Sequence, residues 1–195
     1  MYVKREVTTE GIIIGRHAAG EGSVRVSLYT QELGLVSGLA KSAREERSKL
    51  RMHLQVGTCG AFTLVKGRDV WRVTGATGTQ NPHFELSGNT AAQEASARVL
   101  GVMRQFVRGE SIDPYLFTVL SRFFEALQKI ENEHVAAAEG VAVLRILAAL
   151  GYVREDEFTK EFLPAEYHAD MLTRAGAMRA PLIRTINEAI AASGL

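Results

Sequence analysis

Five basic residues fall within eleven positions of the sequence, in the stretch KSAREERSKLR, where only Glu45 and Glu46 oppose them. Lys and Arg side chains that neutralise phosphates release condensed counterions, so such a stretch can bind nucleic acid with salt-dependent affinity. A solvated surface loop is the alternative explanation of the same charges. We call residues 41–51 the basic segment, and its candidate phosphate contacts are Lys41, Arg44, Arg47, Lys49 and Arg51.

Charge is unevenly distributed along the chain. The 195 residues include 23 Lys and Arg and 22 Asp and Glu, for a net charge of +1. Residues 1–86 contain 12 basic and 8 acidic residues, whereas residues 87–195 contain 11 and 14. This asymmetry predicts a basic binding half followed by a mildly acidic half.

The region around the basic segment has the pattern of a β-domain that could position it. Short runs of β-branched and aromatic residues, separated by Gly and charged clusters, predict strands. These strands cover residues 8–16, 23–29, 34–40, 61–66 and 70–76. Residues 41–57 are too polar for a strand and too long for a hairpin loop, which predicts a short helix or an ordered loop. Five strands with a longer connection after the third are typical of an OB-type barrel.

Alternation in the second strand, SVRVSLY, places Arg25 and Tyr29 on the face opposite its valines. We expect Arg25 to extend the basic surface over the barrel. Phe62 is expected in the core, whereas Tyr29 and Trp71 could either stack on bases or pack within the barrel. Further basic candidates near this surface are Arg16, Lys66, Arg68 and Arg72.

Beyond residue 81 the apolar period becomes helical. Asn89 or Thr90 can cap a first helix that reaches about residue 108, and Pro114 opens a second. Further helices are predicted over residues 134–150, 165–174 and 181–192. The predicted fold class is therefore α+β, with an N-terminal five-stranded OB-type barrel over residues 1–80 and an all-α domain over residues 81–195.

The sequence offers little for catalysis, metals or cofactors. Cys59 is the only cysteine, the five histidines lack metal-ligand spacing, and no phosphate-binding loop is present. We therefore predict a non-enzyme without cofactor or metal, and the alternative is an enzyme that uses dispersed residues such as His17, Glu21 or Asp69. No apolar run approaches the length of a membrane span, which predicts a cytoplasmic protein.

An ordered set of motifs in the first half resembles the amino-terminal domain of the RecO family. The set comprises residues 11–14 (GIII), Glu21, residues 29–34 (YTQELG), residues 40–44 (AKSAR) and residues 48–55 (SKLRMHLQ). Residues 147–152 (LAALGY) are similar to the end of a helix in the helical domain of that family. Ser42 replaces the Gly that is usual in the family, and the cysteine-rich zinc segment of many members is missing.

The resemblance implies a recombination mediator that binds single- and double-stranded DNA and anneals complementary strands without catalysis. It also implies partners: RecR, the acidic tail of the single-stranded DNA-binding protein, and RecA, which the mediator helps to load. Lys41 and Arg44 match the family's basic motif, and an Arg beside an apolar groove of the helical domain is expected to hold the acidic tail. The implied location is cytoplasmic and nucleoid-associated. The alternative is an OB-fold RNA-binding or ribosome-associated protein.

Overall fold

The computed structural model describes residues 6–68 and 70–194. It divides the chain into two compact units. One comprises Met1–Pro82 with Arg108–Ile112, and the other comprises His83–Val107 with Asp113–Leu195. None of the helices within the described residues is long and apolar enough to cross a membrane.

The first unit is a closed five-stranded barrel. Its strands are β1 (Glu6–Ala19), β2 (Ser23–Thr30), β3 (Gly34–Ala40), β4 (Cys59–Lys66) and β5 (Trp71–Gln80). They pair in the order β1-β2-β3-β5-β4, and the sheet closes where β1 pairs with β4. Neighbouring strands are antiparallel except β3 and β5, which are parallel. The predicted OB-type barrel is confirmed.

The predicted third strand has the observed bounds, whereas β1, β4 and β5 are longer than predicted. The end of β1 is polar and small, yet it pairs with β2 as far as Ala19 opposite Ser23. The end of β5 pairs with β4 as far as Gln80 opposite Cys59. The side chains of these two segments do not indicate strands. Pairing with a neighbouring strand provides hydrogen-bond partners for their backbone N–H and carbonyl groups.

Alternation along the strands fills the barrel. Val24, Val26 and Leu28 of β2 are buried, while Arg25 between them is exposed. Twelve buried residues form one apolar cluster. They are Ile13, Val24, Val26, Leu28, Val36, Ala40, Ala43, Leu54, Phe62, Leu64, Trp71 and Val73.

Residues 108–112 belong to the barrel unit and lie against the start of β3. The Leu35 N–H donates to the Gly109 carbonyl at 3.3 Å. Gly34 has a φ of +66°, and a Cβ added there would meet backbone atoms of Ser111 closer than 3.0 Å. Because β5 pairs with β3 only from Gly38 onward, this segment supplies an acceptor to the part of β3 that β5 leaves unpaired.

The second unit is helical. Its main helices are α2 (Thr90–Phe106), α3 (Pro114–Leu127), α4 (Asn132–Ala149), α5 (Ala169–Ala177) and α6 (Arg179–Ser193), preceded by the short α1 (Pro82–Glu85). Asn89 caps α2 by accepting from the Ala92 N–H at 3.1 Å, and Asp113 caps α3 by accepting from the Leu116 N–H at 3.0 Å. The predicted helix over residues 165–174 is shifted, since α5 begins only at Ala169.

A buried arginine in α4 binds the backbone of the non-helical residues 162–166. The guanidinium of Arg145 donates to the carbonyls of Phe162 at 2.6 Å, Ala165 at 3.0 Å and Glu166 at 2.9 Å. It also lies 4.4 Å from the ring centre of Tyr167. Burial lowers the pKa of Arg145 and raises the pKa of Tyr167 to about 12. These three bonds tie the backbone of this non-helical segment to α4.

Candidate nucleic-acid interface

The basic segment is an ordered loop of successive turns. The N–H groups of Glu45, Ser48 and Arg51 each donate to the carbonyl three residues earlier, at 3.1–3.2 Å. One turn of 3-10 helix follows at Met52–Leu54. Ala43 and Leu54 are buried in the barrel cluster, so apolar anchors lie at both ends of the loop. The five basic side chains of the segment are exposed.

Ser42 adopts the left-handed conformation, with a φ of +52°. This conformation is costly for a residue that has a Cβ and costs glycine little. It explains the glycine expected at this position from the sequence resemblance. Ser42 thus adopts in this turn, between Lys41 and Arg44, a conformation that favours glycine.

Arg44 connects the basic segment to the turn between β1 and β2. Its backbone N–H donates to the Gly22 carbonyl at 2.9 Å, and its guanidinium donates to the Gly20 carbonyl at 3.4 Å. The segment is thus held beside this turn. In OB-folds, the loop between the first two strands borders the ligand-binding face.

All six predicted contact residues are exposed, and none has a carboxylate within 4.0 Å among the described residues. The second unit differs, because four of its basic residues form ion pairs with carboxylates. Those four are Arg98, Arg122, Lys160 and Arg174. The positive charge of the basic segment is therefore uncompensated by ion pairs within the described protein.

Arg25 lies on the outer face of β2, where the register pairs its neighbour Val24 with Ala40, the residue before the basic segment. Its guanidinium donates to the Ser37 hydroxyl at 3.4 Å, and its cross-strand neighbours are His17 on β1 and Leu39 on β3. Leu39 pairs in turn with Arg72 of β5, which is also exposed. The register therefore aligns His17, Arg25 and Arg72 across four neighbouring strands, and Arg72 joins the candidate surface.

Lys66 and Trp71 do not form a free binding surface. Trp71 is only 4% exposed, and its indole N–H donates to the Glu110 carboxylate at 3.1 Å. Lys66 binds the same carboxylate at 3.2 Å and lies 4.5 Å from the Trp71 ring centre. These hydrogen bonds, from Trp71 first and Lys66 second, lower the pKa of Glu110. Tyr29 is buried as well. Tyr29 and Trp71 therefore pack within the barrel and do not offer exposed rings on which bases could stack.

The alternative of an enzyme with dispersed residues named His17, Glu21 and Asp69. His17 and Glu21 are exposed, and Asp69 lies outside the described part of the chain. Within residues 6–68 and 70–194, no group of three or more His, Cys, Asp or Glu side chains could hold a metal ion.

The helical unit contains a groove of about 740 Å³ between α4 and α6. Gly140 and Val143 of α4 and Leu182, Ile183 and Ile186 of α6 provide apolar walls. The α4 wall approaches α6 closely, since a Cβ at Gly140 would lie 3.0 Å from the Leu182 side chain.

Two arginines border this groove, and only one of them is bound by carboxylates. Arg98 donates to both carboxylate oxygens of Glu139, at 2.6 and 2.8 Å, and to Glu94 at 3.3 Å, and these contacts raise its pKa. Arg179 is exposed, and its side chain has no partner among the described residues. The sequence could not single out Arg179, because the groove arises only when α4 and α6 pack together.

Comparison with known proteins agrees with the barrel. Residues 3–82 match the family described as "Recombination protein O N terminal". A "DNA repair protein RecO" of Dehalococcoides mccartyi strain 195 is 30% identical over 132 residues, which cover 68% of this chain and 51% of that protein. A protein of the same name from Rubrobacter xylanophilus is 28% identical over 144 residues, or 74% of this chain and 57% of that protein.

A third relative, the "DNA repair protein RecO" of Dehalococcoides mccartyi strain CBDB1, is 26% identical over 155 residues, covering 80% of this chain and 60% of that protein. The chain thus spans between about half and three fifths of the length of these curated relatives.

Proposed function

Because the chain belongs to the RecO family, we propose that it is a DNA-binding recombination mediator that acts by binding and annealing DNA rather than by catalysis. The observation that carries this proposal is the set of exposed, unpaired cations on the ordered basic segment. Lys41, Arg47, Lys49 and Arg51 have no side-chain partner among the described residues. Cations without a protein counter-charge are free to contact phosphates.

Phosphate contacts suit a protein that handles both single and double strands. They position a nucleic acid without reading its sequence, and they partly neutralise two strands that must approach each other to anneal. In this proposal, Lys41 and Arg44 make the first contacts, and Arg47, Lys49, Arg51 and Arg25 extend them. The mediator then joins RecR and helps RecA load onto single strands in the nucleoid.

The decisive experiment is a salt titration of binding to single-stranded DNA, duplex DNA and RNA. Replacing two phosphate contacts, Lys41→Ala with Arg44→Ala, is expected to weaken single-strand binding about tenfold at about 0.1 M salt. The slope of log K against log salt is expected to fall by about 1.4, since each phosphate on a single strand contributes about 0.7. Fluorescence anisotropy of a labelled oligonucleotide measures both quantities.

The matched control is a double variant that removes two positive charges elsewhere in the protein. Lys129→Ala with Arg154→Ala removes two exposed cations of the helical unit and is expected to leave the slope unchanged. If both double variants lower the slope equally, the assigned site is wrong. If the wild-type protein neither binds DNA nor accelerates annealing of complementary strands, the proposed function is wrong. Tighter binding to RNA than to DNA would favour the ribosome-associated alternative.

For the acidic tail of the single-stranded DNA-binding protein, we propose the groove between α4 and α6. Arg179 is the candidate for a carboxylate contact, because Arg98 is already bound by Glu139 and Glu94. The apolar side chains of Leu182 and Ile186 would hold an apolar residue of the same peptide.

Arg179→Ala is expected to weaken binding of the acidic tail peptide about tenfold, as loss of a charged hydrogen bond predicts. Isothermal titration with the peptide measures the change, and DNA binding by the same variant should be unaltered. Arg154→Ala serves as the control for general loss of charge. Equal peptide affinity for wild type and Arg179→Ala would refute the assignment.

A further inference from the structure

Met52 is a highly exposed apolar residue next to the basic segment. Its relative exposure is 80%, and it directly follows Arg51. Single exposed apolar residues are common on protein surfaces, so exposure alone would carry no conclusion. The position of Met52, beside cations that lack protein partners, distinguishes it from such residues.

The backbone on both sides of Met52 is fixed. Leu50 packs against the barrel cluster, and Leu54 is buried within it. A ring nitrogen of His53 is hydrogen-bonded to the Thr79 hydroxyl on β5, and the His53 N–H donates to the Leu50 carbonyl at 3.0 Å. Met52 is therefore presented to solvent on an ordered turn, and little backbone entropy would be lost when it contacts a ligand.

The chemistry of the neighbourhood indicates which ligand fits. Arg51 and Lys49 attract a polyanion, while the Met52 thioether offers a polarisable apolar surface of a size that suits an aromatic ring. A nucleic-acid strand has phosphates and flat apolar bases side by side, so it matches both features.

We propose that Met52 packs against the bases of a single DNA strand whose phosphates are held by the basic segment. This inference rests on the proposed function and adds a base contact to it. In a duplex the bases are stacked and paired, so the contact is available mainly on single strands. Met52 would thus favour single-stranded over double-stranded DNA at a surface whose other contacts are electrostatic.

Two substitutions separate apolar contact from side-chain size. Met52→Gln, of similar length but polar, is expected to weaken single-strand binding about three- to tenfold, which is what loss of a partly buried apolar side chain predicts. Met52→Leu is expected to stay within about twofold of wild type. Because no phosphate contact is lost, the salt slope should not change, and duplex binding should be unaltered.

A footprint provides direct evidence. Methionine oxidation depends on exposure, so DNA bound at Met52 should slow its conversion to the sulfoxide. Met178, which is 36% exposed in the helical unit, is the internal control. Mass spectrometry with and without a single-stranded oligonucleotide should show protection of Met52 and none of Met178.

The outcomes separate this inference from the proposed function. If the wild type binds DNA and Met52→Gln binds single strands equally well, or loses single-strand and duplex binding equally, the base contact is refuted. Unchanged oxidation of Met52 in the bound state also refutes it. Failure of the wild type to bind DNA would instead overturn the proposed function.

Discussion

Arg145→Ala is expected to destabilise the helical unit by about 3–5 kcal/mol, because hydrogen bonds from a charged donor contribute about 1.5–3 kcal/mol each and relief of the buried charge offsets part of their loss. The substitution removes three hydrogen bonds, to the carbonyls of Phe162, Ala165 and Glu166. The bond to Phe162 is buried, and its acceptor would lose its partner without access to water. The stacking of the guanidinium on Tyr167 would be lost as well.

Urea unfolding followed by far-UV circular dichroism measures this effect. Arg122→Ala is the matched control, because Arg122 is an exposed helical arginine whose ion pair with Glu125 is worth about 0.3–0.5 kcal/mol. Arg145→Lys should recover only part of the loss, since an ammonium group cannot reproduce the planar arrangement of guanidinium donors. Similar losses for Arg145→Ala and Arg122→Ala would show that the buried contacts do not stabilise the fold.

Gly34→Ala is expected to destabilise the barrel unit by about 2–4 kcal/mol. Two causes add: the left-handed conformation of residue 34 costs about 1–2 kcal/mol for alanine, and the added Cβ would collide with the Ser111 backbone. The collision involves backbone atoms, so a change of side-chain rotamer cannot relieve it. The segment 108–112 would have to move away from β3.

Trp71 reports this change, because it is the only tryptophan and its indole N–H binds Glu110 within that segment. Fluorescence-monitored thermal unfolding should show a lower midpoint for Gly34→Ala. Gly20→Ala is the control, since Gly20 has a φ of +69° but no atom within 4 Å of an added Cβ. Its cost should be the conformational one alone, about 1–2 kcal/mol. An equal loss for both variants would contradict the proposed collision.

Long-range pairing explains where sequence-based expectation and structure differ. The third strand was predictable because its run of alternating residues begins at Gly34 and ends just before Lys41. The last residues of β1 and β5 have no apolar alternation, and they extend as strands only because β2 and β4 lie beside them. The helix predicted from residue 165 begins at Ala169, and the carbonyls of Ala165 and Glu166 before it accept hydrogen bonds from Arg145, twenty residues away in sequence from Ala165.

In the candidate interface, too, some features follow from the sequence and others only from the tertiary structure. The sequence alone determined the basic segment, the apolar period of the strands and helices, and hence the barrel with a helical unit, because these depend on local residue type and spacing. Only the tertiary structure decided that Trp71 and Tyr29 are buried, that Lys66 is bound by Glu110, and that Met52 is exposed. Those outcomes depend on which segments meet in space, and residues far apart in sequence decide whether a charge is paired or an aromatic ring is covered.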